Sequence, residues 1–337
     1  MKKIKIICTL GPSTINKENI IKMKKLGVSL FRINMSHTSL VQLEKYIKLL
    51  KKLRVNNICI DTEGAQIRTT KINKSIFLNK GKKVNLFCGE NKTTSNNIFL
   101  YPNFNIQQIK KNKKILIGFE TLKLEKTYNF KNGIYCEVVQ GGILDSNKGV
   151  HIDQNINLNP FTKKDIEACK IGEKYKIKNY ALSFANSAED VRNFRKIFKT
   201  KVKIISKLET KNGFLQRDEI IKESSAVLID RGDLSRYISI SQIPIAQKII
   251  ATSSNKKRKP FYVATNLLET MITKKEPTRA ESNDIFSSLQ LNCSGLVLAA
   301  ETAIGKYPIE SINFIKESIK NFLKFKKIGE SKFKLKF

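Results

Sequence analysis

Eight short apolar runs recur along the chain: "IKIIC" (4–8), "SLFRIN" (29–34), "NICID" (57–61), "YALSF" (180–184), "KIISK" (203–207), "AVLID" (226–230), "FYVAT" (261–265) and "GLVLAAE" (295–301). Between most of them lie segments such as "SLVQLEKYIKLLKKL", "SAEDVRNFRKIFK" and "PIESINFIKESIKNFLKF", whose apolar residues recur at spacings of three and four. That period marks amphipathic helices, and strands alternating with helices imply a parallel sheet. Eight such units predict a closed (β/α)8 TIM barrel, an α/β fold. The alternation breaks once, between the third and fourth runs. There "KKVNLFCG", "KKILIG" and "GIYCEVVQGG" alternate with Gly and Asn punctuation, the signature of short strands. The expected organisation is a barrel from 1–70 and 159–337, with a small all-β lid domain, 71–158, inserted after the third strand.

Polar residues gather where the apolar runs end. Arg32 and Asn34 close the second run, Asp61 the third, Lys207 and Glu209 the fifth, Thr265 the seventh and Glu301 the eighth, while Asp230 and Asp233 end and follow the sixth. In such barrels the C-terminal strand ends build the active site. Lys207 and Glu209 are two apart, so an extended strand places them on one face. Taken alone they read equally as a surface salt bridge, worth little when exposed.

Bulk properties narrow the class. The 337 residues suit one large α/β domain with a small insert, and an apolar fraction of 41% supports a core. No apolar run is long enough to span a bilayer, and the start "MKKIKIICTLGPST" lacks the long apolar stretch of a signal peptide, so a cytoplasmic protein without membrane partners is expected. The six cysteines form no Cys-x-x-Cys pair, which argues for free thiols and against zinc. The net charge of +34 comes mostly from Lys spread over the whole length beside heavy use of Ile and Asn. That reads as compositional bias; a nucleic-acid footprint would concentrate on one face. The field still attracts anionic metabolites.

The motifs, taken in order, resemble those of pyruvate kinases. "KIICTLGPST" is similar to the family's opening strand and Gly-Pro turn, "LFRINMSH" to its Arg-x-Asn-x-Ser-His segment, and "DTEGAQIRT" to its Asp-Thr-x-Gly-x-x-Ile-Arg-Thr. "LDSNKGVHI" resembles the segment where the lid rejoins the barrel, "ISKLET" the catalytic-lysine motif and "DRGDL" the metal-binding loop; "ATNLLETMI", "EPTRAES" and "ETAIGKYPIE" complete the series. The set covers nearly the whole chain, and its specificity lies in the order of motifs rather than in any single one. The family's C-terminal regulatory domain is expected to be absent, because the chain ends soon after the eighth helix.

The resemblance implies an enzyme that moves a phosphoryl group between phosphoenolpyruvate and ADP, giving pyruvate and ATP. It implies Mg2+ or Mn2+ on Glu209 and Asp233, oxygen donors of the kind these ions prefer. Lys207 and Arg32 would face the phosphoryl group, where fixed positive charge dominates phosphoryl-transfer catalysis. The backbone of Arg231 and Gly232, with Asp233, would bind the acid. Thr265 would orient a water or relay beside the enolate carbon, or would simply bond the backbone. Glu301 would support that relay or act structurally. Asn34, Ser36, Asp61 and Thr62 match a K+ site. Pro12, Arg32, His37 and Lys148 match the nucleotide side, although His37 also reads as a strand-end hydrogen-bonding group and Lys148 as one solvated Lys among many. Thr278 and Glu281 fit a helix capping box. A homodimer through the barrel is an expectation drawn from the same resemblance.

Several residues depart from the family pattern: Asp230 for a small Ala, Ala299 and Ala300 for Ser-Gly, Glu63 and Gln66 for a basic residue and a Glu, Gly118 and Phe119 for two acids, and Asn186 for an Arg. A third carboxylate at Asp230 would repel an anionic substrate unless it pairs with Arg231 or binds metal. These departures leave open a specialised biosynthetic enzyme acting on a phosphoenolpyruvate- or pyruvate-like enolate, with another acceptor or lyase chemistry. A non-catalytic relative binding metabolite or nucleic acid is the third class; intact Lys207, Glu209, Asp233, Arg32 and Thr265 argue against it.

Overall fold

A computed structural model describes the chain except residues 1–2, 65, 119–121, 155, 157, 330–332 and 334–337, so Phe119 lies outside the described residues. Eight strands close a parallel barrel: β1 (Lys5–Leu10), β2 (Leu30–Asn34), β3 (Ile58–Asp61), β4 (Asn179–Leu182), β5 (Lys203–Leu208), β6 (Ala226–Asp230), β7 (Phe261–Ala264) and β8 (Gly295–Leu298). Each neighbours the next, and β8 pairs with β1 to close the ring. The ladder between β5 and β6 aligns Lys207 with Leu228, and that between β6 and β7 aligns Asp230 with Ala264. Helices follow the strands, including Leu40–Lys52, Ala188–Lys196 and Pro308–Ile328 where the apolar period requires them. The capping box at Thr278 and Glu281 opens helix Arg279–Gln290, with both reciprocal bonds formed.

A strand's side chains alternate between its two faces. Ile7, Leu30, Cys59, Ala181, Ile205, Ala226, Leu228, Tyr262, Ala264 and Val297 pack into one buried cluster, so these positions point to the barrel axis. The residues between them, such as Phe31, Ile33, Ile204, Val227, Ile229 and Val263, are buried on the other face, under the helices. Both faces of every strand are therefore covered, which is why the runs read as continuously apolar.

Three runs end earlier than their apolar pattern suggests. Phe184 and Thr265 adopt φ of 53° and 74°, which no strand ladder tolerates. β8 stops at Leu298, and Ala300–Ala303 form one helical turn, so Glu301 stands on a helix rather than on the eighth strand.

The chain divides into two compact units, Met1–Gly64 with Lys163–Phe337, and Ala65–Thr162. The second starts before residue 71 because strand Arg68–Thr69 pairs with Asn97–Tyr101, inside its own sheet. Among the described residues that sheet has seven strands, with a separate two-stranded ribbon of Ile76–Leu78 and Gly142–Leu144. Its core includes Leu78, Leu86, Leu100, Ile115, Leu124 and Ile134.

Within the barrel unit, Asp165 fastens the chain leaving β3. Its fully buried carboxylate accepts the N–H of Glu63 at 2.8 Å and of Gly64 at 3.1 Å. Asp165→Ala would leave the buried Gly64 N–H and the half-buried Glu63 N–H without this acceptor, a loss of about 2–6 kcal/mol at roughly 1–3 kcal/mol per unsatisfied group. Urea unfolding followed by circular dichroism measures it, and a loss under about 0.5 kcal/mol would contradict this role. No helix among the described residues is long and apolar enough to cross a membrane.

Candidate active site

The inward alternation that makes the barrel core continues for one more step, and there it turns polar. Ile7 is followed inward by Thr9, Leu30 by Arg32, Cys59 by Asp61, Ala181 by Ser183, Ile205 by Lys207 and Leu228 by Asp230. All six polar residues are buried. Burying ionised groups is costly unless they are paired, so this layer has to be an ion network.

It is one. Arg32 donates from Nε and Nη2 to Asp61 Oδ2 at 2.9 and 2.5 Å, and from Nη1 to Thr9 Oγ1 at 2.8 Å. Lys207 Nζ lies 3.0 Å from Glu209 Oε2 and 3.3 Å from Asp230 Oδ2, and donates to Ser183 Oγ at 3.3 Å. The Lys207–Glu209 pair therefore exists, but in the interior. Burial favours the neutral amine of Lys207, yet the carboxylates of Asp61, Glu209 and Asp230 outweigh it and hold the pKa well above the ordinary lysine value. Burial also works against the Asp230 carboxylate, but Lys207, the Thr265 hydroxyl and Arg32 prevail and keep its pKa below the usual range. Glu209 goes the other way. Its burial, with Asp230 and Asp233 nearby, pushes its pKa up to about 8 despite Lys207 and the Phe184 N–H.

Glu209, Asp230 and Asp233 bring ligand oxygens within 4.8 Å of one another. Glu209 Oε1 accepts the Phe184 N–H at 2.7 Å, while buried Oε2 receives no aligned hydrogen bond and faces Lys207 only as an ion pair. Asp233 is partly exposed and lies 3.3 Å from Arg236 Nε. An orphaned buried carboxylate oxygen beside two further carboxylates fits a hard divalent cation such as Mg2+ or Mn2+.

Thr265 sits across from this group. Its hydroxyl donates to Asp230 Oδ1 at 2.6 Å, and its carbonyl accepts from Arg231 Nε and Nη2 at 3.1 and 2.6 Å. Arg231 is anchored in turn by Asp284, with both oxygens 2.7 Å from Nη1. Asp230 and Arg231 therefore do not pair with each other. Asp230 follows the inward parity of β6, and Arg231 begins the next turn and reaches toward helix Arg279–Gln290. A positive φ on a β-branched residue is a strained state that the surroundings must hold. Gly232 helps, because a Cβ there would lie 2.8 Å from Thr265 Cγ2.

The remaining candidates divide. Glu301 is buried and accepts the N–H groups of Leu268 at 3.1 Å and Ala299 at 2.7 Å, a geometry that ties the β7 and β8 loops together. Asn34 Oδ1 accepts the Ser36 N–H at 3.0 Å, and Thr62 Oγ1 accepts the Ser183 N–H at 2.9 Å. Pro12 is exposed in the turn after β1, and His37 is exposed at the end of the 3-10 turn Met35–His37. Lys148 belongs to the Ala65–Thr162 unit, where its N–H donates to Thr69 Oγ1 at 2.9 Å and its amine lies 3.9 Å from Asp145. Four contributors escape a reading of the sequence: Thr9, Ser183, Arg236 and Asp284. Inward parity along β1 and β4 identifies the first two; nothing local marks the others.

Known proteins resemble this chain. The family described as pyruvate kinase, barrel domain, matches residues 1–312. A pyruvate kinase of Thermotoga maritima is 34% identical over 334 residues, covering 95% of this chain and 71% of that enzyme. The chloroplastic pyruvate kinase isozyme G of Nicotiana tabacum is 30% identical, with 92% of this chain matched to 57% of its length. Against several of these relatives the chain spans less than two thirds of their length. Among solved structures, a pyruvate kinase from Cryptosporidium parvum superposes with a TM-score of 0.82 at 28% identity, over 94% of this chain and 68% of that one.

Proposed function

The chain belongs to the pyruvate kinase family, and from that membership we propose that it transfers a phosphoryl group between phosphoenolpyruvate and ADP, giving pyruvate and ATP. The supporting observation is Lys207, an ammonium held charged in the interior, 3.0 Å from Glu209 and beside the guanidinium layer of Arg32. A buried cation at a barrel's C-terminal end suits a transferring phosphoryl group, whose charge spreads over its outer oxygens.

In this reading the bond between phosphorus and the enolate oxygen breaks, and one forms from phosphorus to a terminal ADP oxygen. Lys207 and Arg32 neutralise charge on the moving group and orient it. The backbone N–H groups of Arg231 and Gly232 receive the substrate carboxylate. Thr265 holds a water near the enolate carbon, which takes up a proton to give pyruvate. Glu209 and Asp233 would hold Mg2+ or Mn2+, which supplies Lewis-acid stabilisation of the enolate oxygen. Asn34, Ser36, Asp61 and Thr62 would offer hard oxygens to K+, with Asp61 already paired to Arg32. Pro12, Arg32 and His37 would face the nucleotide.

The test is turnover with phosphoenolpyruvate, Mg2+ and a panel of nucleoside diphosphates, following pyruvate and nucleoside triphosphate together. Equal formation of both, dependent on metal, is the expected result. Folded protein that produces no triphosphate with any nucleotide would overturn the proposal.

A further inference from the structure

The end of β6 carries a carboxylate that the proposed reaction does not require. Asp230 is 8% exposed and both its oxygens are engaged, Oδ1 by the Thr265 hydroxyl at 2.6 Å and Oδ2 by Lys207 at 3.3 Å. It thus joins the cation assigned to the phosphoryl group with the hydroxyl assigned to the enolate carbon. Its charge also tips the balance of the layer. Arg32 and Lys207 face the acidic side chains of Asp61, Glu209 and Asp230, and the Asp230 carboxylate, held ionised, adds its negative charge directly beside Lys207. A phosphorylated acid brings more negative charge to Lys207 than its dephosphorylated counterpart does.

We propose that Asp230 is a specificity-determining and positioning residue that shares Lys207 with the incoming group, weighting the site against the phosphorylated acid and toward the unphosphorylated keto acid, while fixing the Thr265 hydroxyl. The inference rests on the phosphoenolpyruvate reading above. Fixing has a chemical consequence. The Thr265 proton is committed to Asp230, so Oγ1 offers only lone pairs to a bound molecule. Thr265 can therefore hold a water by accepting from it, but does not itself donate to carbon. The strained φ of 74° at Thr265 and the close approach of Gly232 leave that side chain little freedom to turn elsewhere.

Two variants separate charge from hydrogen bonding. Asp230→Asn keeps the shape and the Oδ1 acceptor but removes the charge; Asp230→Ala removes both. Dissociation constants for phosphoenolpyruvate and for oxalate, an unphosphorylated enolate analogue, are measured by calorimetry with Mn2+ present, after circular dichroism shows folded protein. Both variants should bind phosphoenolpyruvate at least about tenfold tighter, in line with the one to three pKa units that a nearby charge commands. Oxalate affinity should change by less than about threefold. Exchange of pyruvate methyl protons with D2O, followed by NMR, should be about tenfold or more slower in Asp230→Ala than in Asp230→Asn. An unchanged ratio of phosphoenolpyruvate to oxalate affinity in both variants overturns the specificity role. Equal exchange in the two variants overturns the positioning of Thr265. If the unsubstituted protein binds oxalate but no phosphoenolpyruvate, the proposed reaction fails by itself. Asp230 is then judged by whether Asp230→Asn gains phosphoenolpyruvate binding, which supports its role, or does not, which overturns it.

Discussion

Lys207→Met is expected to lower phosphoryl transfer by about three orders of magnitude or more, the range found when a single charge-stabilising group is taken from a transferring phosphoryl or oxyanion. Met fills a similar volume, so the loss isolates the charge. The same change leaves Glu209 and Asp230 as buried carboxylates without their common cation. Breaking a buried pair from one side costs about 3–5 kcal/mol, so the metal-free variant should melt well below the parent. A divalent cation would replace part of the lost charge, and Mn2+ binding, read by paramagnetic resonance, should persist while recovering part of the melting temperature. Activity within tenfold of the parent would remove Lys207 from the chemistry, and loss of Mn2+ binding would show that the barrel end had collapsed.

Glu209→Gln should abolish metal-dependent turnover and weaken Mn2+ binding about a hundredfold or more, because the amide cannot ionise to offer the ion an anionic oxygen in place of the Oε2 now without a hydrogen bond. The parent should also bind metal in a pH-dependent way. With the Glu209 pKa raised to about 8, the ion must displace a proton at lower pH. Metal affinity should therefore rise nearly tenfold per pH unit from about pH 6 and level off above pH 8; in Glu209→Gln this term disappears. Linkage fixes the sign for stability as well. The folded carboxyl holds its proton to about pH 8 while the unfolded one releases it near 4.5. This group's contribution is thus fullest below pH 4.5, is lost progressively as pH rises toward 8, and is constant beyond. Denaturant melts across that window, parent against variant and without metal, measure the difference. A flat difference would place Glu209 in a less desolvated setting than its burial implies.

The strands and the polar layer at their inward ends were legible because both follow one rule. Alternation places every second residue on the axis, and the sequence writes Ile205 and Lys207, or Leu228 and Asp230, two apart. Partnerships were not legible where barrel closure makes them. Lys207 and Asp230 lie on adjacent strands with a helical stretch between, and Asp230 goes to Lys207 and Thr265 rather than to its neighbour Arg231. Asp284 anchors Arg231 from a helix that carries no mark of that duty. The eighth run ran past its strand because Ala-Ala-Glu is as good a helix opening as a strand end, and only the Glu301 bonds to Leu268 and Ala299 decide it. The insert's edges shift because Arg68–Thr69 finds its strand partner within the β unit.

The two-residue step that turns Ile205 into Lys207 and Leu30 into Arg32 has a consequence for how such a protein can change over generations. Deleting or adding one residue inside any of these strands would exchange its two faces. Arg32 or Lys207 would then be driven against the apolar underside of the helices, and Ile33 or Ile204 would line the mouth. Shape and chemistry would fail in one stroke. Strand interiors are therefore closed to length variation, while the loops beyond them tolerate it. Experimental evolution libraries should therefore be confined to side-chain exchanges at fixed inward positions such as Asp230 and to the loops.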